Sequence, residues 1–303
     1  LKPKKEGLAM KTVHITFTLA ATLLATGQVL AQPAVQSWMN QEVGAAWLQG
    51  YQGLGVTIKS VDDFKSNDRS YGKLNGRTRL LHHGQWTRLQ ANLIAPQATM
   101  RSHEFMKDTK VSLSTGFNVL NLSYGIMDTA GKSAIQWSRQ ESSIIGYAFK
   151  GQAVVSKAAG NEFGTAVGQP DQYGEVDYLN KSLIGAKSAL FVGALDNNGS
   201  PSALANMASY SNVAGSNTTV QNQFLVVGVE GHKTGLYGTS FAAPIVSGYA
   251  AILSSKFTNA NPIQITNQLL VTARKDTVSK YDPAIHGRGE ASIARALAPA
   301  SIQ

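Results

Sequence analysis

Cysteine is absent from all 303 residues. With no thiols, neither a disulfide framework nor a thiolate zinc site can form. Charge is sparse as well, since Asp, Glu, Lys and Arg make up only 15% of the chain. The balance is +9, yet the basic residues are scattered, with no basic run and no alternation of basic and aromatic residues. Such a pattern favours solubility and argues against a nucleic-acid partner. Long apolar runs are missing too. The one that stands out, residues 15–24, falls short of the roughly 20 residues needed to cross a bilayer. No internal repeat and no linker divides the chain, and 43% hydrophobic residues can bury a large core. One folded domain is the simplest count.

The short apolar run has a context. Numbering begins at Leu1, but Met10 reads as a start, with residues 1–9 as an extension before it. Lys11, joined by Lys2, Lys4 and Lys5, gives a basic flank, and Val29-Leu30-Ala31 forms a small-residue cleavage site before Gln32. Residues 1–31 therefore read as a secretory signal, with an uncleaved anchor as the alternative, and residues 32–303 as the working domain. Removing four Lys and one Glu with that segment takes the charge from +9 to +6. An export signal without disulfides points to a secreted or periplasmic protein of bacterial type.

The stretch on which the chain turns is Gly238-Thr239-Ser240-Phe241-Ala242-Ala243-Pro244, followed by Ile245-Val246-Ser247-Gly248-Tyr249-Ala250-Ala251-Ile252-Leu253. Pro244 suits a first helical turn. Small or apolar residues on every side thereafter mark a buried helix. A hydroxyl placed there meets unpaired N–H groups and the positive end of the helix dipole, which stabilise a developing oxyanion. The plainer alternative is a serine that caps a core helix. The literal string, with Val246 and Gly248 behind it, resembles the nucleophile motif of the subtilisin-like serine peptidases, peptidase family S8.

Further strings extend that resemblance. Residues 34–49 read as a helix, Gly50-Tyr51-Gln52-Gly53-Leu54-Gly55 as a turn, and residues 55–61 as a strand ending in Asp62-Asp63-Phe64. Catalytic groups collect beyond the carboxyl ends of strands in open α/β sheets. The register of the family's aspartate motif selects Asp62, although Phe64 stands where glycine is usual. His82-His83-Gly84 opens a helix over 85–93, closed by Ile94-Ala95-Pro96-Gln97-Ala98. The family's histidine motif matches at both ends and departs at Gln85-Trp86-Thr87. Its register selects His83, with His82 as the rival. His103-Glu104 is too small a group to argue for a metal.

The middle of the chain alternates strand and helix, which predicts a parallel sheet with crossover helices. Strands are expected at 118–125, 153–158, 189–195 and 224–229, and helices at 132–149, 263–273 and 290–298. The turn Asp196-Asn197-Asn198-Gly199 has the flavour of a calcium loop but lacks the later ligands. Ala158-Ala159-Gly160-Asn161-Glu162 resembles the segment that carries the family's oxyanion asparagine. Asn121-Leu122-Ser123-Tyr124-Gly125 resembles the strand that pairs with substrate backbone. By that likeness Ser123, Tyr124 and Gly125 would hold an extended peptide, opposite a wall that runs from Lys157 through Ala158 and Ala159 to Gly160.

The order Asp62, His83, Asn161, Ser240 is the one seen in subtilisin. Gly287-Arg288-Gly289-Glu290-Ala291 and Ala294-Arg295-Ala296-Leu297 also look like the family's closing helix. The resemblance implies an α/β three-layer fold with a mainly parallel central sheet and helices on both faces. It implies an endopeptidase in which Ser240 attacks, His83 moves the proton, Asp62 orients His83 and Asn161 holds the oxyanion. Its partners would be proteins or peptides. No cofactor is required for that chemistry; structural calcium is common in the family, but no site for it can be placed. The competing class is an inactive subtilisin-like fold that binds peptides, suggested by Phe64 and by the altered residues after His83. The stretch between Gln32 and the glycine turn, about 20 residues, is shorter than the roughly 40 an independently folding pro-region would need. Maturation without internal self-cleavage is the expectation.

Overall fold

The computed structural model describes residues 34–302. The signal segment and the cleavage site at Ala31 that the sequence leads one to expect lie outside the described residues. Six strands form one parallel sheet: β1 (Val56–Asp62), β2 (Thr99–Glu104), β3 (Phe117–Leu122), β4 (Val154–Ala158), β5 (Ala189–Leu195) and β6 (Phe224–Gly228). Their spatial order is β6-β5-β4-β3-β1-β2. All neighbours are parallel, as connections through helices require.

The inner strands are apolar on both faces, and alternation sends successive side chains to opposite cores. Along β4, Val154 enters one cluster and Val155 the other. Along β6, Leu225 and Val227 join the first cluster, Phe224 and Val226 the second. On the first face lie α2 (His83–Ile94) and α4 (Ala243–Lys256), behind a short α1 (Glu42–Leu48). On the second face lies α3 (Arg139–Lys150), which buries Ile144 and Ala148. The result is the three-layer α/β arrangement with helices on both sides of the sheet.

Every residue of α4 from Ala243 to Ser254 is buried, which explains its lack of a polar stripe. Gly248 permits this depth. A Cβ there would lie 2.3 Å from Ile94 Cγ2, so glycine lets α4 press directly against α2. Among the described residues no helix is long and apolar enough to cross a membrane.

Several expected elements differ in extent. The first helix begins at Glu42 and not near residue 34, because residues 37–39 form a turn that buries Trp38 and Met39. The helix expected over 132–149 begins only at Arg139. Ser138 caps it by accepting hydrogen bonds from the N–H groups of Gln140 and Glu141. The edge strand β2 had no counterpart in the sequence reading, since its Thr-Met-Arg-Ser-His-Glu string is largely polar and partly exposed.

Candidate active site

Three strand ends and one helix start converge at the carboxyl edge of the sheet. The register pairs Val61 with Leu122, and Leu122 with Lys157. Hence Asp62, residues 123–125 and residues 159–161 leave the sheet side by side.

Asp62 is buried at the tip of β1. Its Oδ1 accepts a hydrogen bond from His83 Nδ1 at 2.6 Å and another from the Asp63 N–H at 2.7 Å. Its Oδ2 accepts from Thr87 Oγ1 at 2.8 Å. Thr87 stands one turn beyond His83 on the same helix face, so both reach one carboxylate. Asp63 does something different. Its Oδ1 accepts from the N–H groups of Lys65 and Ser66 and closes the local turn. Phe64, the departure from the family's glycine, is held in that turn by donating its N–H to Glu104 at 3.1 Å.

His83 is the first residue of α2. A carboxylate can only accept, so Nδ1 carries the proton and Nε2 keeps its lone pair. Burial opposes protonation of this ring, but the hydrogen bond and charge of Asp62, with Asp63 behind, outweigh it and raise the pKa above the ordinary 6.5. The ring packs against Phe241, centroids 5.6 Å apart, which sets it beside the residue following Ser240. The rival His82 is the helix N-cap. It is buried, and its backbone N–H donates to Gln85 Oε1 at 3.0 Å.

Ser240 lies in a single 3-10 turn, Thr239–Phe241, which leads into α4. Neither this turn nor α4 takes a hydrogen bond from a side-chain cap, so Ser240 is not a capping serine. Its Oγ donates to the Ser123 carbonyl at 3.1 Å, and Ser123 Oγ donates to the Ser240 carbonyl at 2.8 Å. A buried chain supports this pair. Ser247 donates to Asn121 Oδ1, and Asn121 Nδ2 donates to Ser123 Oγ.

Asn161 is anchored through its oxygen. The Thr239 N–H donates to Asn161 Oδ1 at 2.8 Å, and a backbone N–H can only donate, which fixes the amide orientation. Nδ2 is thereby left as an exposed donor. Gly238, at φ 115°, faces it; a Cβ there would lie 3.4 Å from Nδ2.

The proposed substrate walls are unlike each other. Gly125 is exposed, and neither its N–H nor its C=O pairs with another described residue. A Cβ at Gly125 would come within 2.8 Å of Asp177 Oδ2, so close packing demands glycine. On the other side the backbone is already committed. Ala159 gives its N–H to Val192, and its carbonyl accepts from Asn180 and Asn212. The Gly160 carbonyl accepts from the Asn212 N–H. Lys157 is a correction to the sequence reading. Its side chain is buried and so presents no surface to a substrate; Nζ lies 3.0 Å from Asp177 Oδ2 and donates to the Ala158 carbonyl.

Among the described residues no group of three or more His, Asp or Glu side chains could hold a metal ion. In the turn at 196–199, the Asn198 N–H donates to Glu230 and the Gly199 N–H to Glu290.

A parallel sheet covered on both faces, with a serine at a helix start and an Asp–His pair beside it, defines a hydrolase of the subtilisin type. The profile of the subtilase family matches residues 90–289. The chain belongs to that family and is of the serine-type endopeptidase class. Solved structures agree in fold. MycP1 from the ESX-1 type VII secretion system superposes with a TM-score of 0.55 at 19% identity, covering 90% of this chain and 88% of that one. MycP3 protease from the type VII (ESX-3) system gives 0.55 at 20% identity, covering 89% and 90%. A lanthipeptide protease gives 0.55 at 19% identity, covering 86% and 93%. No match was found among curated protein sequences.

Proposed function

We propose that the chain is an exported endopeptidase that cleaves peptide bonds through Asp62, His83 and Ser240, with Asn161 in the oxyanion site. The observation that carries this reading is the 2.6 Å contact between His83 and Asp62, beside Phe241. The family match begins at residue 90, so the acid and base rest on this geometry and on their sequence motifs.

An extended substrate pairs with the free backbone of Gly125, which sets its scissile carbonyl over Ser240. A turn about the Cα–Cβ bond of Ser240 swings its Oγ from the Ser123 carbonyl towards His83 Nε2. Hydrogen bonds of this kind often close only when substrate is bound. Nε2 takes the hydroxyl proton as Oγ attacks, and Asp62 stabilises the imidazolium. Asn161 Nδ2 and the Ser240 N–H then donate to the oxyanion. Collapse releases the amine with the proton from His83. Water attacks the acyl-enzyme by the reverse proton path and regenerates Ser240.

A fluorophosphonate probe tests the reading. It should label the wild-type chain and not Ser240→Ala. An unlabelled wild type would favour an inactive peptide-binding protein. Export is supported by the basic flank, apolar core and Val29-Leu30-Ala31 site. N-terminal sequencing of exported protein should begin at Gln32; a start at Met10 would refute it.

A further inference from the structure

The histidine motif departs from its family pattern at three successive residues, Gln85-Trp86-Thr87. Two of them have local duties. Gln85 Oε1 accepts the His82 N–H at 3.0 Å and closes the start of α2. Trp86 Nε1 donates to the Ser70 carbonyl at 3.0 Å, which ties the helix to the segment that follows β1. Thr87 differs, because its hydroxyl is turned towards the reacting groups.

Asp62 is 1% exposed, so both of its carboxylate oxygens need donors from the protein. Oδ1 has two, His83 Nδ1 and the Asp63 N–H. Among the described residues Oδ2 has one, Thr87 Oγ1 at 2.8 Å. Thr87 is itself fully buried, and a hydroxyl carries a single proton. The other acceptor in its reach, the Gly84 carbonyl, is neutral and lies at 3.3 Å, so the proton goes to the nearer, charged oxygen. Helix geometry puts it there. Thr87 follows His83 by one turn, so one face of α2 grips both oxygens of one carboxylate. Gly84, next to His83, permits the approach, since a Cβ there would lie 2.9 Å from Asp62 Cβ. Rotation of the carboxylate about its Cβ–Cγ bond would break the contacts with His83 and Thr87 together.

We propose that Thr87 is a positioning residue for catalysis, whose hydroxyl locks the Asp62 carboxylate in the plane that holds His83 ready for the Ser240 proton; the inference rests on the hydrolytic reading above. Proton transfer itself is unchanged: the proton passes from Ser240 Oγ to His83 Nε2, and Thr87 keeps its own. The plainer account is a threonine that only satisfies a buried oxygen, and its loss would then cost stability alone. The two accounts part at the imidazole. The charged groups that bear on His83 are Asp62 and Asp63. The Thr87 hydroxyl points its positive end at Asp62 and so tempers the pull of that carboxylate on the imidazolium. Without the hydroxyl the ring holds its proton to higher pH and is aimed less firmly.

Thr87→Val keeps the shape and removes the donor, whereas Thr87→Ser keeps the donor. The full chain is assayed on a peptide substrate across a pH series. Fluorophosphonate labelling, thermal melts and the NMR signal of the His83 Nδ1 proton are recorded alongside. Thr87→Val should lower kcat by about tenfold to a hundredfold, the loss expected for one hydrogen bond to a charged group, with KM nearly unchanged. It should also move the midpoint of the pH–rate profile upward and shift the Nδ1 proton signal. Thr87→Ser should restore all three. In an Asp62→Ala background the valine change should have no further effect on the residual rate, because Thr87 acts through Asp62. Should the valine variant fail to fold, Thr87→Ala is read by the same criteria. A folded variant that melts lower but keeps wild-type kcat and midpoint overturns the proposal and leaves the hydrolytic reading intact. So does a loss that serine fails to restore, or one that persists undiminished without the Asp62 carboxylate. A wild type that neither labels nor cleaves removes both readings together.

Discussion

His83 Nδ1 and Asp62 Oδ1 lie 2.6 Å apart, joining the start of α2 to the tip of β1. This one contact ties activity and stability to pH in opposite senses. Catalysis needs neutral His83, whose pKa is raised above 6.5 by Asp62 despite burial. Hence kcat/KM should climb with pH through a midpoint above 6.5. Stability follows the other sign. A base whose pKa is raised on folding stabilises the fold below its unfolded pKa, and that contribution is lost as pH rises through the raised value. Asp62→Asn should lower kcat by about 10⁴ while removing this source of pH-dependent stability. A pH–rate profile beside thermal melts at several pH values checks both. A wild-type midpoint below 6.5 would contradict the pairing.

Asn161 has its oxygen tied to the Thr239 N–H, so only its amide nitrogen can serve a substrate. Asn161→Ala should reduce kcat by about 10²–10³ and leave KM nearly unchanged. Unaltered kcat would remove Asn161 from the oxyanion site.

The adjacent histidines should separate cleanly. His83→Ala should abolish turnover, because among the described residues no other imidazole bonds to Asp62. His82→Ala should lose stability and retain turnover, since His82 is buried at the helix N-cap. Steady-state rates and melting temperatures for the two variants decide the matter, and the reverse pattern would move the base by one residue.

Gly84 sets the distance between that helix and the aspartate strand. A Cβ there would lie 2.7 Å from the Asp63 carbonyl oxygen, 2.8 Å from Phe64 Cζ and 2.9 Å from Asp62 Cβ. The phenyl ring can yield, but the carbonyl cannot, since it accepts the Gly84 N–H at 2.8 Å. Gly84→Ala should cost about 1–3 kcal/mol of stability, the usual range for overpacking. It should also weaken the His83–Asp62 contact, so the His83 pKa falls back towards 6.5 in an NMR titration. An unchanged pKa would mean that the strand and helix move together.

The residues of the candidate site stand out in the sequence where chemistry and chain neighbours coincide. Ser240, Asn161, Asp62 and His83 each sit in a short string whose glycines and small residues are needed locally. What escaped the sequence joins distant parts of the chain. Ser247, Asn121 and Ser123 form one hydrogen-bonded line, yet Ser247 and Asn121 are 126 residues apart. Lys157 looked like part of a pocket wall because its partner, Asp177, lies on another segment and neutralises it out of sight. Thr87 appeared only as a departure from the histidine motif, although its spacing from His83 already placed both on one helix face. Helix starts were more readable than the apolar pattern suggested: Ser138 with Glu141 three residues later marks the true beginning of α3. The edge strand β2 left no apolar alternation to find.

Glu290 offers a test of the fold away from the site. It is 2% exposed, accepts the Gly199 N–H at Oε1, 3.0 Å away, and leaves Oε2 without a hydrogen-bond partner. Burial raises its pKa from 4.5 to about 7, only partly opposed by the Gly199 N–H and the charge of Arg274. The sign here is that of an acid whose pKa is raised on folding. Between pH 4.5 and about 7 the folded chain holds more protons than the unfolded chain, so stability falls as pH rises through that window. Above it the ionised, buried carboxylate costs up to about 3 kcal/mol, taking 1.36 kcal/mol for each pKa unit. Glu290→Gln keeps an oxygen for the Gly199 N–H and removes the ionisation. The variant should therefore unfold at higher denaturant than wild type at pH 8, with the gap closing towards pH 5. Chemical denaturation at the two pH values measures it directly, and a gap that is equal at both would show that Glu290 ionises in the folded chain as it does in the unfolded one.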